Sequence, residues 1–128
     1  MRSILIDTNA YSDLMRGDRS VLKTLESSET IFVSVFVLAE LYTGFKGGKN
    51  EKENLIVLER FLDKPTVVTL NTTIETASIF AEIKHFLKKK GKPIPLNDVW
   101  IAAHTLEMGC SLLTKDEHFS LVPGLRLV

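Results

Sequence analysis

The chain has 128 residues, and is expected to form one domain over residues 1–128 with length enough to bury a sizeable core. Its 45% hydrophobic and 25% charged residues suit a soluble globular protein, and no apolar run approaches the roughly 20 residues that span a bilayer, so no membrane-spanning helix is expected. Sixteen basic and sixteen acidic residues cancel, so any binding of nucleic acid has to rest on a local patch rather than on net charge.

Ser3-Ile4-Leu5-Ile6 reads as a strand buried on both faces. The chain enters it without the long apolar core of a signal peptide, so a cytoplasmic location is expected. Asp7-Thr8-Asn9 follow, residues that start helices well, and Tyr11 to Met15 is a short helical stretch ending near Gly17. Val21, Leu22 and Leu25 mark a second helix, and Thr30-Ile31-Phe32-Val33 a second strand. Ser34 caps a long apolar helix, Val35 to Phe45, stopped by Gly44, Gly47 and Gly48. Leu55, Leu58, Phe61 and Leu62 mark the next helix, and Pro65 breaks the chain before a short third strand at Val67-Val68.

Asn71 or Thr72 is expected to cap an amphipathic helix carrying Ile74, Ala77, Phe80, Ala81, Ile83 and Leu87. It ends in Lys88-Lys89-Lys90-Gly91, where cations complement the negative end of the helix dipole. Pro93 and Pro95 hold an extended loop, a helix runs from about Leu96 to Met108, and Gly109 closes it. The lone Cys110 rules out an internal disulfide and reads as a small core residue. Ser111-Leu112-Leu113 is the fourth strand, Asp116 to Phe119 a turn or short helix, Pro123-Gly124 a tight turn, and Leu125 to Val128 a small last strand. Strands alternate with helices, which predicts an α/β fold with a mostly parallel central sheet of four to five strands flanked by helices.

Four carboxylates stand out against this frame. Asp7 lies just past the first strand, at the carboxyl edge where open α/β sheets bind ligands. Glu40 sits in an apolar helix with Phe36 and Val37 one turn before it, where an unpaired charge costs several kcal/mol unless a cation offsets it. Asp98 opens a helix that Val99, Trp100, Ile101, Ala102 and Ala103 make apolar nearly all round, and Asp116 follows the fourth strand. Taken singly, each Asp reads more readily as a helix cap or an Asx-turn residue than as a ligand. Converging on one sheet edge, the four would repel one another unless a divalent cation balanced them. Carboxylate oxygens suit Mg²⁺ or Mn²⁺, whereas Cys110 and the three histidines have no zinc-type spacing.

These pieces also carry a resemblance. Ile6-Asp7-Thr8-Asn9, Val37-Leu38-Ala39-Glu40-Leu41, Asn97-Asp98-Val99-Trp100-Ile101-Ala102-Ala103-His104, Leu113-Thr114-Lys115-Asp116-Glu117-His118-Phe119 and Pro123-Gly124-Leu125, in that order along the whole chain, resemble PIN-domain ribonucleases, and more narrowly the VapC toxins of type II toxin–antitoxin modules. The resemblance implies a Rossmann-like sheet with an acidic pocket at its carboxyl edge. It implies that Asp7, Glu40, Asp98 and Asp116 bind Mg²⁺ or Mn²⁺, with Thr8, Asn9 and Thr114 in supporting positions. It further implies hydrolysis of RNA phosphodiesters, a homodimer, and a VapB-type antitoxin through which alone the toxin meets DNA.

Lys84, Lys88, Lys89, Lys90 and Lys92 form the one basic cluster, with Lys46 and Lys49 nearby in the glycine-rich loop; it either holds phosphates or is a solvated helix end. Lys115 is read as a phosphate contact or a solvated residue. Trp100 and His104 read as packing residues, and neither His85 nor His118 has a base–nucleophile pattern around it. Three other readings compete. A phosphatase of the haloacid dehalogenase type would need an Asp where Asn9 stands. A receiver domain would need a phosphorylatable Asp after the third strand, where Leu70-Asn71-Thr72 stand. A degenerate PIN domain acting only as a binding partner would not need all four acids.

Overall fold

In the computed structural model, residues 2–128 are described. The chain runs β1 (Ser3–Ile6), α1 (Thr8–Met15), α2 (Arg19–Glu26), β2 (Thr30–Ser34), α3 (Val35–Phe45), α4 (Glu51–Leu62), β3 (Val67–Leu70), α5 (Ile74–Lys90), α6 (Leu96–Met108) and β4 (Ser111–Leu113), then a 3₁₀ turn at Glu117–Leu121. The sheet has the order β3-β2-β1-β4, and every pairing is parallel.

β1 is central, and its sequence says why. Ile4, Leu5 and Ile6 have no exposed surface at all, so they meet apolar partners on both faces. Burial of each such side chain contributes about 1.5–3 kcal/mol. From β1 the chain winds outward on one side through β2 and β3, then returns to pair β4 on the other side. β1 is therefore the switch point of the sheet, and a crevice is expected beyond its carboxyl end. In register Ile6 faces Leu113, and the Asp7 N–H donates to the Leu113 carbonyl at 3.2 Å, so the chain just past β1 stays tied to the end of β4.

Two expectations need correction. Thr73, rather than Asn71 or Thr72, caps α5: its hydroxyl accepts from the Thr76 N–H, and the Thr76 hydroxyl accepts from the Thr73 N–H. This capping box also fastens α5 to α6, because both hydroxyls donate to the Glu107 carboxylate, at 2.9 and 2.5 Å. The last strand shrinks to one bridge, Leu127 to Leu112, held by backbone bonds of 2.8 and 2.9 Å. Pro123 and Gly124 stand immediately before Leu125 and leave too little chain for a full ladder.

No helix among the described residues is long and apolar enough to cross a membrane.

Candidate active site

The three segments that leave the carboxyl ends of β1, β2 and β4 supply most of the site. Asp7 ends β1 and caps α1; its Oδ1 accepts the Ala10 N–H at 2.7 Å. The same placement that makes it a cap buries it, to 4% exposure. Burial therefore pushes the Asp7 carboxyl above its usual range. The Thr114 hydroxyl and the Ala10 N–H oppose that shift, while the nearby charges of Asp98 and Asp116 add to it.

Thr8 and Glu40 form the second contact. The Thr8 hydroxyl donates to Glu40 Oε1 at 2.7 Å, joining the first turn of α1 to the middle of α3. Glu40 is half-buried and has no Arg or Lys partner among the described residues. The apolar helix around it is thus explained: β2 runs directly into α3 through the Ser34 cap, and Glu40 projects toward the end of β1.

Asp98 stands in the first turn of α6, and Asp116 caps the 3₁₀ turn after β4. Thr114 fixes Asp116 by accepting its N–H at 3.0 Å. Between the two acids lies His118. Its Nε2 is 2.5 Å from Asp98 Oδ2 and its Nδ1 is 2.8 Å from Asp116 Oδ1. One ligand atom from each of Asp98, Asp116 and His118 lies within 4.8 Å of the others; Asp7 and Glu40 stand outside this tight group. Asn9 is exposed on α1, and Glu117 is exposed beside Asp116.

His118 is the residue that sequence reasoning missed. The available signal was its spacing. Two residues after a capping Asp, a ring in a tight turn can fold back onto that carboxylate. Its second contact, to Asp98, depends on the packing of α6 and had no local signal. Lys115 also differs from expectation. It is committed to Asp18, at 2.5 Å, and to Asp13, at 3.4 Å, so it ties the loop after β4 to α1 and α2. His104 is fully buried, with Nδ1 2.8 Å from Ser34 Oγ, and burial pushes its pKa down. It and Trp100, which stacks between Phe36 and Phe80, pack α6 against α3 and α5.

The donor set fits a hard divalent ion. Asp98 and Asp116 lie near enough to the buried Asp7 for their charges to act on it, Glu40 is joined to the start of α1 through Thr8, and no Lys or Arg pairs with Asp7, Glu40, Asp98 or Asp116 among the described residues.

Comparison with known proteins identifies the family and the fold. The PIN domain profile matches residues 4–125. Ribonuclease VapC2 of Haemophilus influenzae is 32% identical over 131 residues, covering 98% of this chain and 96% of that protein. The crystal structure of VapBC2 from Rickettsia felis bound to a DNA fragment from their promoter superposes with a TM-score of 0.88 at 26% identity, covering 98% of this chain and 97% of that one. DNA-bound VapBC from Salmonella typhimurium gives a TM-score of 0.84 at 25% identity, covering 100% and 98%. From profile, sequence and fold together, the chain belongs to the PIN-domain family and, within it, to the VapC toxins.

Proposed function

We propose that this chain is a metal-dependent endoribonuclease, the toxin half of a VapB–VapC pair, with Asp7, Glu40, Asp98 and Asp116 holding Mg²⁺ or Mn²⁺. The observation that carries the proposal is Asp7: a buried carboxylate, with Asp98 and Asp116 adding to its charge burden, pairs with no cationic side chain among the described residues. When bound, such an ion acidifies a coordinated water and offsets the charge that builds on an attacked phosphate. The chain's own residues set its position. Ala10 N–H fixes the Asp7 carboxyl, Thr8 orients Glu40, and Thr114 holds Asp116.

The basic residues of α5 support an RNA substrate. Lys84 and Lys88, one turn apart, line a hollow of about 410 Å³ together with Pro93, Ile94 and Val99, the residue after Asp98. Such a hollow could hold a phosphate backbone by charge alone. The homology to VapC toxins, and neighbours solved as DNA-bound VapBC complexes, support a VapB-type antitoxin and contact with DNA through that complex; a homodimer in the cytoplasm completes the proposal. Exposed Met15, Leu22 and Val57, along a trough between α1, α2 and α4, are apolar surface that a protein partner would cover.

The test is cleavage of RNA by the purified chain freed of antitoxin. Excess EDTA should abolish cleavage, and added Mg²⁺ or Mn²⁺ should restore it. Undiminished cleavage in EDTA would reject metal dependence.

A further inference from the structure

His118 holds a position that the four-acid account does not use. Its ring bridges Asp98 and Asp116, one nitrogen on each. Among the described residues it is the sole cationic or potentially cationic partner of either acid. It is also fixed in place. The residue after it, Phe119, is 1% exposed and anchors the 3₁₀ turn, with its ring centroid 5.1 Å from the imidazole.

The two nitrogens are not equivalent. Asp116 Oδ1 accepts the His118 backbone N–H at 3.3 Å as the cap of the turn, and the ring's Nδ1 lies 2.8 Å from the same oxygen. The ring's own hydrogen bond joins Nε2 to Asp98 Oδ2. One ligand atom from each of Asp98, Asp116 and His118 falls within 4.8 Å of the others, close enough for one ion to take all three. A carboxylate-oriented imidazole of this kind is a common way to present a metal ligand.

We propose that His118 is a direct ligand of the divalent ion through a ring nitrogen, alongside Asp98 and Asp116, and that this nitrogen makes the site favour Mn²⁺ over Mg²⁺. The proposal rests on the metal-dependent reading above and goes beyond it in adding a nitrogen to an all-oxygen donor set. Its chemical basis is ligand softness: Mg²⁺ keeps oxygen ligands and water, whereas first-row transition ions accept imidazole readily.

The experiment is electron spin-echo spectroscopy of Mn²⁺ bound to the purified chain, with Mn²⁺ and Mg²⁺ affinities measured for wild type, His118→Gln and His118→Ala. Wild type should show modulation from a directly bound ¹⁴N nucleus, and both variants should lose it. Because His104 is sealed in the core, loss in the variants assigns the nitrogen to His118. Mn²⁺ affinity should fall about 10- to 100-fold in His118→Ala, with a much smaller change for Mg²⁺. Bound Mn²⁺ with no ¹⁴N coupling in wild type, or equal losses for both ions, would overturn the role of His118 and leave the four-acid site standing. Failure of the wild type to bind Mn²⁺ at all would overturn that site as well.

Discussion

Asp7 shows how one residue serves the fold and the chemistry in opposite directions. As a cap it stabilises α1; as a buried charge it opposes folding, since burial raises its pKa. A folded-state pKa above the unfolded one means that the protonated form favours the fold. That stability is fully present below the unfolded value of 3.8 and is lost as pH rises through the folded value. Without metal, the neutral-pH fold therefore carries an unfavourable charge. Asp7→Asn removes the charge and keeps a residue that caps well. In EDTA at pH 7 the variant should melt at a higher temperature than wild type, and the difference should narrow toward pH 4. With Mn²⁺ the order should reverse, because the ion stabilises only the chain that binds it. A lower melting temperature for Asp7→Asn in EDTA would contradict this account of the site's electrostatics.

At the scale of elements, side chains fasten the helices and the loop that present the acids. Asp18 caps α2 by accepting from Ser20 N–H and Val21 N–H, and pairs with Lys115 from the loop after β4. The Lys115 bond, first among these, holds the Asp18 carboxyl well below the usual carboxylate range. Here the sign is the other way. A depressed folded pKa contributes stability above the unfolded value of 3.8, and that contribution fades as pH falls below it. Asp18→Asn should therefore be less stable than wild type at pH 7, and the gap should narrow steadily as pH falls below 3.8. Salt should shrink the gap, because the pair is solvent-exposed. Thr73→Ala breaks the capping box and one of the two bonds to Glu107. It should cost about 1 kcal/mol in urea denaturation.

These elements were unequally legible in the sequence. β1, α3, α6 and β4 have their expected bounds, because apolar runs closed by caps and glycines mark them locally. The α5 cap was misplaced because Thr72 and Thr73 are chemically alike, and the reach of Glu107 from α6 decides between them. His118 was missed for the same kind of reason: Asp98 lies 20 residues away, and tertiary packing alone brings it near.

Over the whole molecule, the parallel order β3-β2-β1-β4 turns scattered residues into a site. With β1 central, the segments after β1, β2 and β4 open on one edge, and α6 begins beside them. Alternating strands and helices foretold that sheet, and the carboxyl edge is where Asp98 and Asp116 meet His118. Which segments meet depends on strand order, which local pattern does not encode; Glu40 bonds to Thr8 across the ends of two neighbouring strands.

The most direct measurement compares RNA cleavage by wild type and Asp98→Asn in Mn²⁺, with circular dichroism to establish that both are folded. Asp98→Asn should be folded and should cleave more than about 100-fold more slowly, because a carboxylate that holds the ion has become a neutral amide. A folded Asp98→Asn that cleaves at the wild-type rate would contradict the account.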